Sequence, residues 1–413
     1  MVKTASSIGG FRGGRSLHVL YVNSHLSRTD SEAATWGRKF VRELRNAGVE
    51  VSTIPAYSES DGKDTRAKPH FLRVQVLKKY LPAWLVHSLI EPRMVLRGLM
   101  DTVLLWSQVR RLRACVPDVV YARVGYWDWA PWLIGRSLRR PVILEVHGLN
   151  YIERTFRGRR KSRLLRTFEL AQLRRVSYVR VSSKPVIELL EQDGIDRDQV
   201  RHIPLGVEVL ARPERELSSA ESSVKIVFVG SFYPWHGAEV LVHALALVRK
   251  KLPDARLELI GDGLTRADNE KLAKELGIEN AVDFVGWLPR EVMLRRVQES
   301  DIAIAPFLTL YYFDPAKIFD YMSTGVAIIA SHLERTAEIL QGGRGGVLVP
   351  PGDAEALAAE IVSLSHDPAR RTSLGMSAQE ILAEEGYRHD AVVERLLSLF
   401  SESVSAGSGH LEK

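Results

Sequence analysis

The chain has 413 residues, of which 45% are hydrophobic and 26% charged, an ordinary composition for a globular protein of two or three domains. It contains no apolar run of about 18 residues, which excludes a membrane-spanning helix, and its single cysteine, Cys115, excludes an internal disulfide bond. Residues 1–15 have no apolar core, so we expect a flexible tail rather than a secretory signal, and a cytoplasmic protein.

The first half of the chain alternates short β-branched segments with helical patterns. Strands are predicted at residues 17–22, 49–54, 119–122, 142–146 and 178–181, and a helix over 31–47. Short apolar strands separated by helices are typical of a parallel sheet built from βαβ units. The pattern predicts an α/β domain over 16–205, with a mostly helical insertion at 55–117.

The second half repeats this scheme. Strands are predicted at 225–229, 256–260, 282–285, 302–305, 327–330 and 346–349, with helices between them. This pattern predicts a second Rossmann-like domain over 206–387. The terminal segment 388–413 is predicted to hold an amphipathic helix over 389–400, followed by a polar tail.

Glycine-rich turns follow three consecutive strands of the second domain. Parallel sheets bind ligands outside the carboxyl ends of their strands, where glycine permits close backbone approach and a helix N-terminus can face a phosphate. One such turn is weak evidence, but several on one sheet predict a nucleotide site. The turns contain Gly230, Ser231 and His236, then Gly261 and Gly263, then Gly286 and Trp287.

A fourth strand end carries the most informative segment. Asp314 and Pro315 are predicted to open a helix, because proline is tolerated in the first helical turn. That end of a helix attracts anions, and Lys317 adds a full charge there. Asp320 shares a helix face with Lys317, so a cation for a diphosphate lies beside a carboxylate for ribose hydroxyls. The alternative is a simple ion pair between the two on a solvated face.

Several segments together carry a family resemblance. They are VGSFYPWHG (229–237), IGDG (260–263), FVGWLP (284–289), PAKIFDYMSTG (315–325), GGVLVPPGD (345–353), YARVGY (121–126), LEVHG (144–148) and IPLGVE (203–208). With them the chain, apart from about 55–117, resembles glycosyltransferase family 4. The resemblance implies the GT-B fold, in which two Rossmann-like domains face each other across a cleft. It also implies a retaining, metal-independent hexosyltransferase with no separate cofactor and with a nucleotide-diphosphate sugar, UDP or GDP, as donor.

The resemblance also assigns roles by position. Asp320 matches the carboxylate that binds ribose, Lys317 matches a cation near the diphosphate, and Gly286 with Trp287 matches the loop that reads the base. His147 matches a histidine that faces the donor sugar from the N-terminal domain, so His147 and Lys317 are the predicted catalytic residues. The last helix is expected to cross back to the N-terminal domain. The remaining donor-side candidates are Gly230, Ser231, His236, Gly261, Gly263, Asp314, Ala316 and Ile318.

Two departures from the family pattern concern the same site. Tyr312 occupies a position where the family often has a glutamate, and Phe232 and His236 occupy positions where many members have an arginine and a lysine. A neutral imidazole offers one hydrogen-bond donor and no charge. We therefore expect Lys317 to hold the diphosphate with help from helix N-termini.

The basic N-terminal half is expected to bind the acceptor. Residues 1–205 hold 36 Lys and Arg against 19 Asp and Glu, a net charge of +17, while the remaining residues have a net charge of −10. Arg123 and Glu153 are candidates for the acceptor side. An arginine-rich cluster over 154–166 and the amphipathic pattern of 71–85 favour contact with an anionic membrane, with a solvated face or a packed helix as the alternative.

The acceptor class and some alternatives stay open at this point. Carbohydrate, lipid-linked and small-molecule acceptors all fit a basic domain, in glycan, glycolipid or secondary-metabolite synthesis. A nucleic-acid partner is not expected, because no helix-turn-helix, zinc-finger or ribonucleoprotein pattern is present. The rival functions are a sugar-nucleotide epimerase, a pseudo-glycosidic coupling enzyme on the same fold, and a non-catalytic nucleotide-sugar-binding subunit.

Overall fold

A computed structural model gives the fold of the chain. It describes residues 16–23, 32–55, 83–109, 116–123, 125–156, 162–211, 224–310 and 315–410. Several sequence predictions lie outside these residues: the tail 1–15, Cys115, Tyr312, Asp314, most of the insertion and most of the arginine-rich cluster.

The chain divides into two compact units. Unit 1 consists of Met1–Pro204 and Val392–Lys413, and unit 2 of Leu205–Ala391. Each unit contains a six-stranded parallel sheet with flanking helices. The predicted class, α/β with two Rossmann-like units, is therefore confirmed.

Unit 1 is built on a parallel sheet whose inner strands are largely buried. The strands are β1 (His18–Val22), β2 (Glu50–Ile54), β3 (Val119–Arg123), β4 (Val142–Val146), β5 (Tyr178–Val181) and β6 (Val200–His202), in the order β2-β1-β3-β4-β5-β6. The helices between them are α1 (Glu32–Asn46), α2 (Ala83–Ser107), α3 (Ala130–Leu138), α4 (Asn150–Phe156), α5 (Arg163–Leu173) and α6 (Pro185–Gln192). The sequence did not predict β6, which has only three residues, two of them charged or polar.

Unit 2 has the same architecture. Its strands are β7 (Lys225–Val229), β8 (Arg256–Ile260), β9 (Val282–Gly286), β10 (Ile302–Ala305), β11 (Ala327–Ser331) and β12 (Val347–Val349), in the order β12-β11-β10-β7-β8-β9. Its helices are α7 (Ala238–Val248), α8 (Arg266–Glu275), α9 (Arg290–Gln298), α10 (Ala316–Thr324), α11 (Glu334–Ile339), α12 (Ala354–Ser365) and α13 (Pro368–Glu384). Each predicted strand is present within one or two residues of its predicted bounds.

The last helix, α14 (His389–His410), returns the chain to unit 1. Its apolar side chains pack with those of β1 and β3, and the ring of Phe400 meets the edge of Tyr121 at 5.3 Å between centroids. The predicted end of the helix at Phe400 is wrong, since the helix continues to His410. Ser403 is fully buried, and the hydroxyl of Ser401 donates to the Leu397 carbonyl. The polar sequence therefore stays helical through packing and local hydrogen bonds.

Candidate active site

The predicted glycine turns of unit 2 meet at one edge of its sheet. The Gly230 amide donates to the Ile260 carbonyl at 2.9 Å, and the Gly261 amide donates to the Gly286 carbonyl at 2.8 Å. A side chain on Gly261 would overlap the carbonyl oxygen of Gly230. The close approach of these loops therefore requires glycine, and the loops present backbone groups beyond the ends of β7, β8 and β9.

Helix α10 is fixed firmly behind this edge. The Tyr321 hydroxyl accepts a hydrogen bond from the Val229 amide at 2.8 Å and donates to the Ile304 carbonyl at 3.2 Å. Ile318 is completely buried, whereas Ala316 is exposed at the start of the helix. Pro315 is the N-cap residue, directly before the first turn rather than within it as predicted. The helix therefore presents its positive end, Lys317 and Asp320 from a rigid position.

Lys317 is buried, so the alternative of an ion pair with Asp320 on a solvated helix face is wrong. Its side chain is 7% exposed, and its Nζ lies 4.0 Å from the ring centroid of Phe228 and 4.7 Å from that of Phe307. A side chain on Gly230 would come within 2.7 Å of this amine. Among the described residues the amine has no hydrogen-bond partner, so the ion pair with Asp320 is not formed. Burial holds the pKa of Lys317 well below its ordinary value.

His236 also lies beside Gly230, since a side chain on this glycine would come within 3.5 Å of its Nδ1. Its Nδ1 donates to the Ser231 carbonyl at 2.5 Å, because a carbonyl oxygen can only accept. Burial, together with the charge of Lys317, lowers the pKa of His236 to about 3. The neutral ring therefore turns an unprotonated Nε2 toward its surroundings. In this state it offers a ligand an acceptor rather than the expected donor.

Asp320 has a partner that the sequence analysis missed. Arg290 binds its carboxylate through two hydrogen bonds of 2.5 and 3.0 Å, and the aspartate is 7% exposed. Arg290 begins α9 directly after the quoted segment FVGWLP, at the same edge of the sheet. The position of this basic residue, directly after a predicted donor-site motif, was the signal in the sequence that could have identified Arg290. Because the two partners are 30 residues apart, only the fold brings them together.

We predict that Arg290 orients Asp320 for a ligand. A bidentate arginine fixes the plane of a carboxylate, and with it the directions in which the carboxylate can accept hydrogen bonds from ribose hydroxyls. Replacing Arg290 by Met should weaken binding of the preferred nucleoside diphosphate about tenfold, because the carboxylate loses its fixed orientation. Calorimetry would measure the affinity, with Arg295→Met on the exposed face of the same helix as control. Equal affinities of the two variants would contradict the prediction.

The remaining donor-side candidates occupy varied environments. Trp287, in the loop after β9, is 77% exposed. Ser231 is exposed and Gly263 is half-buried. The Gly263 amide donates a hydrogen bond of 2.7 Å to the side chain of Asp262. The exposed indole is free to stack on a flat ligand, since aromatic faces bind bases without sequence preference.

The predicted residues of unit 1 also lie at the carboxyl edge of their sheet. His147 follows β4, and its Nε2 lies 2.8 Å from Oε1 of Glu145. Arg123 ends β3, in register with Glu145 on the neighbouring strand. Glu153, in α4, places its carboxylate against Gly148. The structure therefore groups Arg123, His147 and Glu153 around one strand end.

The carboxylate that contacts His147 belongs to a buried ion pair between Glu145 and Arg180. Glu145 accepts a short hydrogen bond from Arg180, which is 1% exposed and lies opposite it on β5. Arg180 also donates to the Ile203 and Pro204 carbonyls, each at 2.7 Å. Burial alone would raise the pKa of Glu145, but His147 and Arg180 outweigh it, so this pKa lies below its ordinary value. Burial lowers the pKa of His147, which is therefore neutral near pH 7.

The contact with Glu145 fixes the tautomer of His147. The carboxylate accepts, so Nε2 carries the proton and Nδ1 is left as an acceptor. Nδ1 lies 3.5 Å from the Ser182 hydroxyl at the end of β5. Within the described ranges, no three acidic, histidine or cysteine side chains form a group that could hold a metal ion.

The two Rossmann-like units, with glycine loops at the strand ends of unit 2, are those of a glycosyltransferase of the GT-B type. Residues 34–209 match the family model described as Glycosyltransferase Family 4, and residues 223–367 match the model described as Glycosyl transferases group 1. The chain belongs to this family of glycosyltransferases and is an enzyme of that class. The family and the fold predicted from the sequence are confirmed.

Individual proteins show the same relationship. The chain is 22% identical over 384 residues to an alpha-D-kanosaminyltransferase of Streptomyces kanamyceticus, covering 88% of this chain and 98% of that protein. Its fold is similar to that of sucrose-phosphate synthase from Thermosynechococcus elongatus, with a TM-score of 0.67, 20% identity and coverage of 94% and 100%. It is also similar to Anabaena Alr3699/HepE, solved with UDP and glucose, with a TM-score of 0.62, 16% identity and coverage of 93% and 99%.

Proposed function

We propose that unit 2 binds a UDP- or GDP-sugar and that the enzyme transfers the sugar to an acceptor with retention of configuration. The observation that carries this proposal is the buried amine of Lys317, which has no partner among the described residues and lies against Gly230. A buried cation without a counter-charge is unfavourable, and a diphosphate at the glycine loops would supply one. The UDP bound by the Anabaena protein of similar fold supports this choice of ligand class.

The other residues of the edge suit the remaining parts of the donor. Asp320, held by Arg290, would accept hydrogen bonds from the ribose hydroxyls. The loop at Gly286 and the exposed indole of Trp287 would meet the base. The start of α10 would add backbone donors to the diphosphate. We propose these roles for the residues predicted from the sequence, with Arg290 added.

The chemistry needs few protein groups. In a front-face reaction the bond from the sugar C1 to the diphosphate oxygen breaks while a bond from C1 to the acceptor oxygen forms on the same face. The acceptor proton passes to the departing diphosphate oxygen, so the charges balance without a protein base. Lys317 would stabilise the negative charge that develops on the leaving group. His147, neutral and held by Glu145, is the proposed contact for a hydroxyl of the sugar.

The acceptor would be bound by unit 1, where Arg123 and Glu153 are the candidates. Its chemical class, the absence of a metal from the reaction and an anionic membrane as the working surface remain predictions. Of the arginine-rich cluster, Arg154, Arg163 and Arg166 lie within the described residues, and Arg166 pairs with Asp193.

A nucleotide panel tests the donor site. UDP, GDP, ADP and TDP, alone and as sugar conjugates, would be titrated by calorimetry into the wild type and into a Lys317→Ala/Asp320→Ala double variant. We expect one base to bind in the micromolar range, and the double variant to lose about a hundredfold or more, because it removes charged interactions of about 1.5–3 kcal/mol each. Lys274→Ala/Asp268→Ala, on the exposed face of α8, is the matched control.

Three outcomes would overturn the proposal. Binding of no nucleotide, or equal binding by the double variant and its control, would remove the donor site. Product that carries the opposite anomeric configuration to the donor, observed by NMR, would contradict retention.

A further inference from the structure

Three arginines converge on a pocket in unit 1 that the proposed reaction does not use. The pocket has a volume of about 220 Å³ and is lined by Trp132, Arg136, Arg140, Val142, Arg175 and Ser177. Val142 begins β4 and Ser177 precedes β5, so the pocket lies at the amino ends of these strands. His147 follows the other end of β4. The pocket is therefore separated from the candidate active site by the length of a five-residue strand, roughly 17 Å.

The guanidinium groups of this pocket lack counter-charges. Among the described residues, Arg136, Arg140 and Arg175 make no ion pair. Arg136 lies over the ring of Trp132 at 5.8 Å, and the Nε of Arg140 is buried without a hydrogen-bond partner. Like charges held together repel, and a buried donor without an acceptor is costly. A tetrahedral anion with several acceptor oxygens would relieve both effects.

An exposed apolar ridge adjoins the pocket. On α2, Leu96, Leu99, Met100, Val103 and Leu104 follow helical spacing along one face, and Leu96 and Val103 are 60% and 62% exposed. The opposite face packs on unit 1 through Gly98 and Leu105. At the end of the ridge, the indole of Trp106 donates to the Ser137 hydroxyl at 3.0 Å, and Ser137 is the chain neighbour of Arg136. Ridge and pocket are therefore contiguous.

We propose that this surface docks on a bilayer and that the three-arginine pocket binds the phosphate of an anionic phospholipid headgroup. Apolar side chains inserted at the headgroup boundary, a tryptophan beside them and arginines for the lipid phosphate are the contacts that an interfacial helix makes. None of the described helices is long and apolar enough to cross a bilayer, so α2 would lie on the surface.

Vesicle flotation with the full chain tests the proposal. Vesicles of phosphatidylcholine alone are compared with vesicles that also contain phosphatidylglycerol. Three variants are used: Arg136→Glu/Arg140→Glu/Arg175→Glu in the pocket, Leu99→Ser/Val103→Ser on the ridge, and Lys251→Glu/Lys271→Glu/Lys274→Glu on exposed positions of unit 2 as a control with the same charge change. The wild type should bind the acidic vesicles more tightly than the neutral ones.

The pocket variant should lose about a hundredfold in affinity for acidic vesicles, since each basic residue near an anionic surface contributes about fivefold. The control should lose far less, and the ridge variant should bind both kinds of vesicle more weakly. A pocket variant that binds like the control would overturn the proposal. Stabilisation of the wild type by soluble glycerol phosphate without vesicle binding would also overturn it, in favour of a soluble phosphate ligand. Self-association of the wild type that is lost in the ridge variant would also overturn the proposal, because a second copy of the chain would then cover the ridge.

The outcome of the vesicle experiment does not depend on the donor site. Nucleotide binding is measured on the same proteins, and it should be unchanged because the substituted pocket residues belong to unit 1. Failure of all proteins to bind nucleotide would count against the proposed function only. The melting temperature of the pocket variant controls for misfolding, and the ridge variant, which keeps all three arginines, provides a second route to the same answer.

Discussion

Replacing Lys317 by Met is expected to stabilise unit 2 and to reduce sugar transfer by a factor of about 10²–10³. The amine is buried against Phe228 and Phe307 and has no partner among the described residues, so an apolar side chain of similar length fits its surroundings better. A gain of about 1–3 kcal/mol corresponds to a rise in melting temperature of several degrees for a domain of this size. Loss of activity combined with a gain in stability is expected when a residue is unfavourable in the folded protein but needed to bind a ligand.

Proton uptake provides a second measurement on the same variant. The pKa of Lys317 is lowered by burial, so the folded ligand-free protein binds fewer protons than the unfolded chain between that lowered pKa and the ordinary value of about 10.4. In this range the free-energy penalty for burying the amine decreases as the pH rises. Above the ordinary pKa the penalty vanishes, because the amine is then neutral in both the folded and the unfolded state. A bound diphosphate would raise the pKa again, so binding should take up a proton.

Calorimetry at pH 8 in two buffers of different ionisation enthalpy measures this uptake, because the terminal phosphate of a nucleotide has a pKa of about 6 and is already ionised. Lys317→Met should show no uptake. Lys274→Met, at an exposed position of α8, is the control and should behave as the wild type in stability, activity and proton uptake. A Lys317→Met protein that is less stable than the wild type, or that transfers sugar at the wild-type rate, would contradict the assignment.

The strand pattern was readable from the sequence because parallel strands buried on both faces are continuous apolar runs. Strand β11, with all five residues buried, is one example. Strand β6 was missed because three residues, two of them polar, give no such run. The end of α14 was missed because the polar sequence after Phe400 gives no sign that Ser403 is buried. Length and packing, rather than propensity, decided both cases.

The positions of Lys317 and Asp320 were predicted, but their environments were not. Helix spacing places both residues on one face, yet α10 is buried along nearly its whole length, so the pair is separated and each group meets a different neighbour. The contact between Arg290 and Asp320 depends on two helices that the topology places side by side. Glu145 and Arg180 did leave a signal, since each is a charged residue inside an apolar strand, and such residues are rarely buried unless they are paired.

Replacing Glu145 by Gln is expected to lower the free energy of unfolding of unit 1 by about 3–5 kcal/mol. The substitution leaves the buried guanidinium of Arg180 without a counter-charge, and removing one partner of a buried pair is far more costly than removing both. Hydrogen exchange measured by mass spectrometry would follow the peptides of β4 and β5, which should lose protection while those of unit 2 keep theirs. This local readout is preferable because a chain of two units does not unfold in one step.

The matched control for this variant breaks an ion pair at the surface of the same unit. Glu191 lies 3.0 Å from Arg197 and is 39% exposed, so Glu191→Gln should change stability by less than about 1 kcal/mol. Equal protection of β4 and β5 in the two variants would show that Glu145 does not stabilise the sheet. At a temperature where the Glu145→Gln protein is still folded, a lower rate of sugar transfer with unchanged nucleotide affinity is expected, because His147 has lost the carboxylate that fixes its tautomer. A rate equal to that of the Glu191→Gln protein would instead mean that the orientation of His147 does not depend on Glu145.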